Sequence, residues 1–143
     1  MTSSAVDNLS RLGITLPDAP APAANYVPYV IAGNMVFVSG QLPLVEGKLS
    51  VTGHVGKDVT TEQAAKQARQ CAINLLAQLN AACGGDLGRV KQVVKLGGFV
   101  ACADSFTDQP EVMNGASDLM VEVFGDAGRH ARFAVGSNNL PRG

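Results

Sequence analysis

The 143-residue chain contains no tryptophan, and aromatic residues make up only 5% of it. Small aliphatic side chains must therefore form most of the core, which suits closely packed helices and sheets better than a large aromatic-lined pocket. Hydrophobic residues still reach 46% against 16% charged residues, which is enough for a folded core. The length fits a single domain spanning residues 1–143.

The chain also lacks an excess of either charge. It has 11 basic and 12 acidic residues, a net charge of -1, and no lysine- or arginine-rich run. Nucleic-acid binding needs a concentrated basic surface, so we expect no nucleic-acid partner. No apolar stretch approaches the roughly 20 residues of a membrane span, and residues 1–8 do not resemble a signal peptide. We therefore expect a cytoplasmic protein without a membrane partner.

Metal-binding motifs are missing as well. The three cysteines show no CxxC spacing, and both histidines lack neighbouring ligands; these residues are Cys71, Cys83, Cys102, His54 and His130. Cysteines among Ala, Val and Leu behave as small buried hydrophobes. We predict reduced core thiols, no metal site and no cofactor.

The N-terminal part reads as a helix, a connector and a group of strands. Residues 1–24 hold a short helix over Ser4–Leu12, capped by Ser3 or Ser4, and then a proline-rich connector over Leu16–Pro22. Two β-rich runs separated by Gly33-Asn34 predict a hairpin. Its strands are Tyr29–Ala32 and Met35–Ser39, and Lys48–Thr52 is predicted as an additional edge strand.

The C-terminal part alternates helices with strands. A capping-box pattern and a three-four apolar spacing predict a helix over Thr60–Ala82. A strand follows within Val90–Ala103, whose Gly97-Gly98 pair indicates a bulge or a close backbone approach. A second helix over Pro110–Phe124 and a strand over Ala131–Val135 complete the order β-β-β-α-β-α-β. The fold class is α+β, a mixed sheet with two helices packed on one face.

Arg132 is the main candidate site residue because it lies in an apolar strand. Alternation places Arg132, Ala134 and Gly136 on one face and Ala131, Phe133 and Val135 on the other, which predicts burial on both faces. A guanidinium there needs a partner. A small carboxylate would serve, as would an Asp or Glu of the chain, and a plain edge-strand surface position is a further possibility.

The ends of the hairpin offer a weaker candidate. Ser39-Gly40 could present a backbone N–H to an oxyanion, although this pair at the end of a strand is usually a turn. No serine-hydrolase signature accompanies it.

With these residues identified, the chain resembles the Rid family of reactive-intermediate deaminases, also called the YjgF or L-PSP endoribonuclease family. The matching features are Tyr26, the strand Met35–Gln41, the helix Gln63–Ala82, the segment Val93–Leu96, and Ala131–Val135 followed by Leu140–Gly143. They cover about residues 25–143 in the family's order. The N-terminal helix ahead of the proline connector is similar to the chorismate-mutase-like branch.

The resemblance implies a homotrimer with ligand sites in the clefts between subunits. The family's carboxylate-binding arginine falls on Arg132, and its other pocket positions fall on Tyr26, Ser39, Gly40 and Asn114. In deaminating members the arginine holds the carboxylate of a 2-imino or enamino acid while water attacks the imine carbon.

Two departures from the family pattern bear on activity. The position two residues after the arginine, usually Cys or another small residue, is Ala134 here. The water-orienting Glu of the deaminases lies on a last strand beyond the Leu-Pro-Arg-Gly stretch, and this sequence ends at Gly143. Either a strand-forming tail is missing from this sequence or the protein lacks that acid. A sheet without that strand would leave an unpaired edge, so we expect the missing tail.

Three functions follow in order of preference. The first is a trimer that binds a small carboxylate, a 2-oxo or 2-imino acid, and hydrolyses enamines or imines if the acid is supplied. The alternative is a non-catalytic ligand-binding or regulatory trimer. Endoribonuclease and chorismate mutase activities rank last, because the charge argues against the first and only a branch name suggests the second.

Overall fold

A computed structural model describes residues 4–19 and 24–143, and its first element is the predicted N-terminal helix. Helix α1 spans Ala5–Arg11, and the Ser4 side chain accepts a hydrogen bond from the Asp7 backbone N–H, as predicted for one of the two caps. The buried Asn8 donates its side-chain amide to the Val123 carbonyl over 2.8 Å, which fixes α1 against the rest of the fold. Part of the predicted proline connector, residues 20–22, lies outside the described residues.

The predicted hairpin is confirmed. Strands β1, Tyr29–Ala32, and β2, Met35–Val38, pair antiparallel around a turn in which Gly33 adopts a φ of 61°. The edge strand predicted over Lys48–Thr52 is wrong. Val45 and Lys48 exchange backbone hydrogen bonds of 2.9 and 3.0 Å and close a tight turn, but no described strand lies beside residues 49–52 to continue the ladder.

Two long helices form the layer behind the strands. Helix α2 spans Thr61–Ala82 and begins with the predicted capping box between Thr60 and Gln63. Helix α3 spans Gln109–Phe124, with proline in its first turn as predicted. The two helices approach closely, since a Cβ added at Gly115 would lie 1.9 Å from the Ala65 carbonyl oxygen.

Two parallel strands carry the second half of the sheet layer. Strand β3 spans Lys95–Ala101 and pairs with β4, Ala131–Ser137. The strand starts later than the broad Val90–Ala103 segment suggested, because the Val93 N–H bonds to the Ala127 carbonyl instead. The predicted close approach at Gly97-Gly98 is confirmed, as added Cβ atoms would lie 2.4 Å from the Phe133 ring and 1.9 Å from the Met113 sulfur.

The packing confirms an α+β fold with both helices on one side of the strands. Helix α2 packs on the hairpin, α3 packs on the β3–β4 pair, and the helices pack on each other. A continuous mixed sheet is not formed by the described residues. They form two separate two-stranded sheets, with an apolar cavity of about 1130 Å³ bordered by both sheets and both helices.

None of the helices within residues 4–19 and 24–143 has the length and apolar character needed to cross a membrane.

Candidate functional site

Arg132 lies near the start of β4, opposite Leu96 in the parallel pair. The predicted alternation is confirmed in part: Arg132 and Ala134 are half-buried, whereas Phe133 and Val135 on the other face stay 38% and 42% exposed. Burial on both faces is therefore wrong for the single chain. Ala134 packs against the core formed with α2 and α3, so the side chains on its face of β4 are directed toward the helices.

The guanidinium of Arg132 is held by α3. Its Nη1 donates to Asn114 Oδ1 and to Ser117 Oγ, both over 3.0 Å, and its Nη2 donates to the Pro110 carbonyl over 3.4 Å. Pro110, Asn114 and Ser117 are spaced four and three residues apart, so they lie along one face of the helix. The pairing of β4 with β3 and the packing of β3 against α3 bring the arginine to this face.

All three partners of Arg132 are uncharged. Within the described part of the chain, no Asp or Glu oxygen lies within ion-pairing distance of it, so the structural ion pair considered from the sequence does not form. Arginine stays protonated in proteins, and its positive charge is here left without a counter-charge. The environment is suited to an anion that comes from outside the chain.

Two of the five guanidinium N–H groups remain without an acceptor among the described residues. Nη1 uses both of its hydrogens and Nη2 uses one, which leaves the Nε–H and one Nη2–H. A carboxylate has two oxygens and can accept both. The neighbouring Asn114 is exposed, so this corner of the fold is open to solvent.

Ser117 and His130 were not among the site residues predicted from the sequence. Ser117 Oγ lies 2.9 Å from Nε2 of His130, and Nδ1 of the same ring lies 2.6 Å from the Gly128 carbonyl oxygen. His130 had been considered only as a metal ligand. The spacing of Ser117 three residues after Asn114 was the available signal, because that spacing puts both side chains on one helical face.

The remaining predicted site residues lie around the hairpin. The Ser39 N–H donates to the Pro28 carbonyl over 2.9 Å, and the Ser39 hydroxyl donates to the Val27 carbonyl over 2.7 Å. Both donors therefore hold the end of β2 to the segment that precedes β1. Tyr26 is 60% exposed, and both Tyr26 and Gly40 border the large cavity. Arg132 does not border it. Within one chain the structure therefore unites Arg132 with Asn114 and shows no contact between that pair and the hairpin group.

The strand face that points away from the helices is apolar and exposed. Phe99 on β3 and Phe133 on β4 stack edge to face with ring centres 5.5 Å apart, and the Lys95 ammonium lies 5.5 Å from the Phe133 ring centre. Phe99 is 61% exposed, and on the hairpin the paired residues Val30 and Phe37 are 51% and 59% exposed. Several large apolar side chains exposed on strands in this way are typical of an interaction face.

The three cysteines are unpaired, and Cys83 and Cys102 are buried, as predicted for core thiols. Burial of the Cys71 thiol on α2 raises its pKa from 9.0 to about 12, against a smaller lowering by a backbone hydrogen bond. A thiol with such a pKa stays protonated at neutral pH and is a poor nucleophile.

Comparison with known proteins identifies the fold. The model of the family described as "YjgF/chorismate mutase-like, putative endoribonuclease" matches residues 7–142. Protein TCP17 of Trypanosoma cruzi is 53% identical over 137 residues, which cover 95% of this chain and 85% of that protein.

Solved structures agree with this match. The protein Atu1372 of Agrobacterium tumefaciens, of unknown function, is 49% identical with a TM-score of 0.88, over 96% of this chain and 83% of that one. A "putative endoribonuclease" of Shewanella oneidensis is 37% identical with a TM-score of 0.92, over 97% and 91%. The chain belongs to the YjgF/chorismate mutase-like family, the Rid or L-PSP family that its sequence resembled.

Proposed function

We propose that this protein binds a small carboxylate, a 2-oxo or 2-imino acid, through Arg132. One observation carries the proposal: the guanidinium is fixed by three neutral acceptors and keeps two N–H groups and its charge for a ligand. Had the chain placed a carboxylate of its own beside it, the same arginine would be a structural residue.

We further propose that the binding site is completed between subunits of a homotrimer. The exposed apolar face around Phe99, Phe133 and Phe37 supports an assembly, since such a surface is stabilised when other copies cover it. Assembly would also explain why Tyr26, Ser39 and Gly40 do not contact Arg132 within one chain. In the proposed trimer, the hairpin residues of one subunit face Arg132 of its neighbour.

Titration calorimetry with 2-oxobutyrate tests the binding proposal. The intact protein should bind, and Arg132→Ala should lose the heat signal because the carboxylate loses both its charge partner and its donors. Arg129→Ala is the matched control, because Arg129 is an exposed arginine whose side chain pairs with Asp126 at the surface. Equal binding by the Arg132→Ala variant would contradict the proposal. Light scattering should give a mass three times that of the chain.

Imine hydrolysis separates the two functional alternatives for this site. Imines generated in place by an amino-acid oxidase should disappear faster than in the buffer blank if the trimer is a deaminase. A rate equal to the blank, together with binding of 2-oxobutyrate, assigns a ligand-binding or regulatory role. Hydrolysis that persists in the Arg132→Ala variant would place any activity elsewhere.

A further inference from the structure

We propose that Ser117 and His130 are positioning residues that hold the Arg132 guanidinium ready for its ligand. The proposal rests on the carboxylate-binding function given above and adds two residues to that site. Four groups form one chain of hydrogen bonds: Arg132 Nη1 to Ser117 Oγ at 3.0 Å, Ser117 Oγ to His130 Nε2 at 2.9 Å, and His130 Nδ1 to the Gly128 carbonyl at 2.6 Å.

The direction of each hydrogen bond follows from the two ends of this chain. The Gly128 carbonyl can only accept, so Nδ1 of His130 carries a hydrogen, and in the neutral ring Nε2 is then an acceptor. The guanidinium at the other end can only donate, so Ser117 Oγ accepts from Arg132. The Ser117 hydroxyl is left with one role, which is to donate its hydrogen to Nε2 of His130.

This arrangement directs a lone pair of Ser117 Oγ at the guanidinium of Arg132. A serine hydroxyl in solvent rotates freely, but here its hydrogen is held by His130 and its oxygen is therefore directed at Nη1. Asn114 takes the second Nη1 hydrogen, so rotation of the guanidinium would break both hydrogen bonds of Nη1 together with that of Nη2 to the Pro110 carbonyl. The N–H groups left for the ligand are thus held in one orientation, which lowers the entropy lost on binding.

The backbone holds the far end of the chain in place. Gly128 closes a short 3-10 turn over Gly125–Gly128, and a Cβ added there would lie 2.1 Å from the Met120 carbonyl oxygen of α3. The turn therefore packs directly on the helix that carries Ser117 and Asn114. Ser117 and His130 are themselves half-buried, which shields their hydrogen bond from competing water.

The first test compares the affinity for 2-oxobutyrate of proteins with and without a hydroxyl group at position 117. Ser117→Ala should weaken binding about three- to tenfold, the cost of one hydrogen bond that orients the arginine. Ser117→Thr keeps the hydroxyl and should restore most of the affinity. Ser105→Ala is the matched control, because Ser105 is exposed and lies in a loop. Full affinity in Ser117→Ala would overturn the proposal.

Nitrogen NMR at neutral pH provides a test that needs no ligand. The chain has two histidines, and they should show opposite tautomers. His130 should carry its hydrogen on Nδ1, whereas His54, whose Nε2 lies 2.5 Å from the Asn138 carbonyl oxygen, should carry it on Nε2. The Arg132 Nη signals should be separate in the intact protein and should merge in Ser117→Ala, where rotation is freer.

The two readouts distinguish failure of this proposal from failure of the binding function. An Nε2–H tautomer at His130, or Arg132 Nη signals unchanged by Ser117→Ala, would overturn the positioning roles even if 2-oxobutyrate binds. The expected tautomers and signals in a protein that does not bind 2-oxobutyrate would support the positioning of Arg132 and contradict the proposed function instead.

Discussion

Nη1 of Arg132 on β4 lies 3.0 Å from Oδ1 of Asn114 on α3, a contact between a charged donor and a neutral acceptor. The amide orients the guanidinium without neutralising it. A carboxylate at the same place would also accept the hydrogen bond, but it would compensate the positive charge. The identity of residue 114 therefore decides whether Arg132 is available to an external anion.

Two substitutions at Asn114 should separate orientation from charge. Asn114→Ala removes one acceptor, so the affinity for 2-oxobutyrate should fall about three- to tenfold. Asn114→Asp should weaken binding further, because the new carboxylate forms an ion pair with Arg132 and repels the ligand. The melting temperature of Asn114→Asp should be at least that of Asn114→Ala. Calorimetry and thermal unfolding measure the two effects.

The aspartate substitution needs a control for net charge. Ser10→Asp, at an exposed position on α1, changes the charge of the chain by the same amount and should leave the affinity unchanged. If Asn114→Asp bound 2-oxobutyrate as tightly as the intact protein, Arg132 would not be the carboxylate partner.

Local sequence patterns predicted the elements of this fold, because each depends on neighbouring residues. Two of the signals depend on contacts within a few residues: the capping box of Thr60 with Gln63 and the Gly33-Asn34 turn. The third, the glycine pair in β3, depends on the absence of a side chain. The Lys48–Thr52 strand failed for the opposite reason. Its composition suits a strand, but a strand also needs a neighbour, which local sequence does not specify.

The site was only partly predictable for the same reason. Arg132 stood out because a charge in an apolar strand needs a partner, and the family resemblance added Asn114. The partner could not be identified from the pattern alone, because it depends on which face of α3 meets β4. His130 contributes through a hydrogen bond to a backbone carbonyl, and sequence patterns give no sign of such a contact.

Replacing Gly115 of α3 with alanine should destabilise the protein. Helix propensity alone would favour alanine by about 1 kcal/mol. The new Cβ, however, would lie 1.9 Å from the Ala65 carbonyl oxygen, and backbone on α2 cannot move aside like a flexible side chain. The helices must separate, so we expect a net loss of about 1–3 kcal/mol. Thermal unfolding should show a melting temperature lower by several degrees.

Gly40→Ala serves as the control for this substitution. A Cβ there meets no atom within 4 Å, and the Gly40 backbone is not in the left-handed region, so stability should change little. A melting temperature for Gly115→Ala at or above that of the intact protein would mean that propensity outweighs the contact, and that α2 and α3 do not pack as closely as described.

Cys71 should resist alkylation in the folded protein. Burial raises the pKa of its thiol from 9.0 to about 12, so at pH 8 the reactive thiolate is about a thousandfold rarer than in the unfolded chain. Iodoacetamide at pH 8 should modify Cys71 slowly in buffer and rapidly in urea, as measured by peptide mass spectrometry. Rapid modification in buffer would show that the thiol is not desolvated.

The raised pKa of Cys71 also predicts how stability depends on pH. The thiol of the unfolded chain ionises near pH 9, whereas the folded thiol stays protonated until about pH 12. Between these values the unfolded state binds fewer protons, so the free energy of unfolding should fall as the pH rises. Below pH 9 the thiol is protonated in both states, so its full contribution to the free energy of unfolding is present and no longer changes with pH. Cys71→Ala lacks the ionisation, so its stability should decline less steeply over that window in urea unfolding at successive pH values. Parallel curves for the two proteins would mean that the thiol ionises equally in both states.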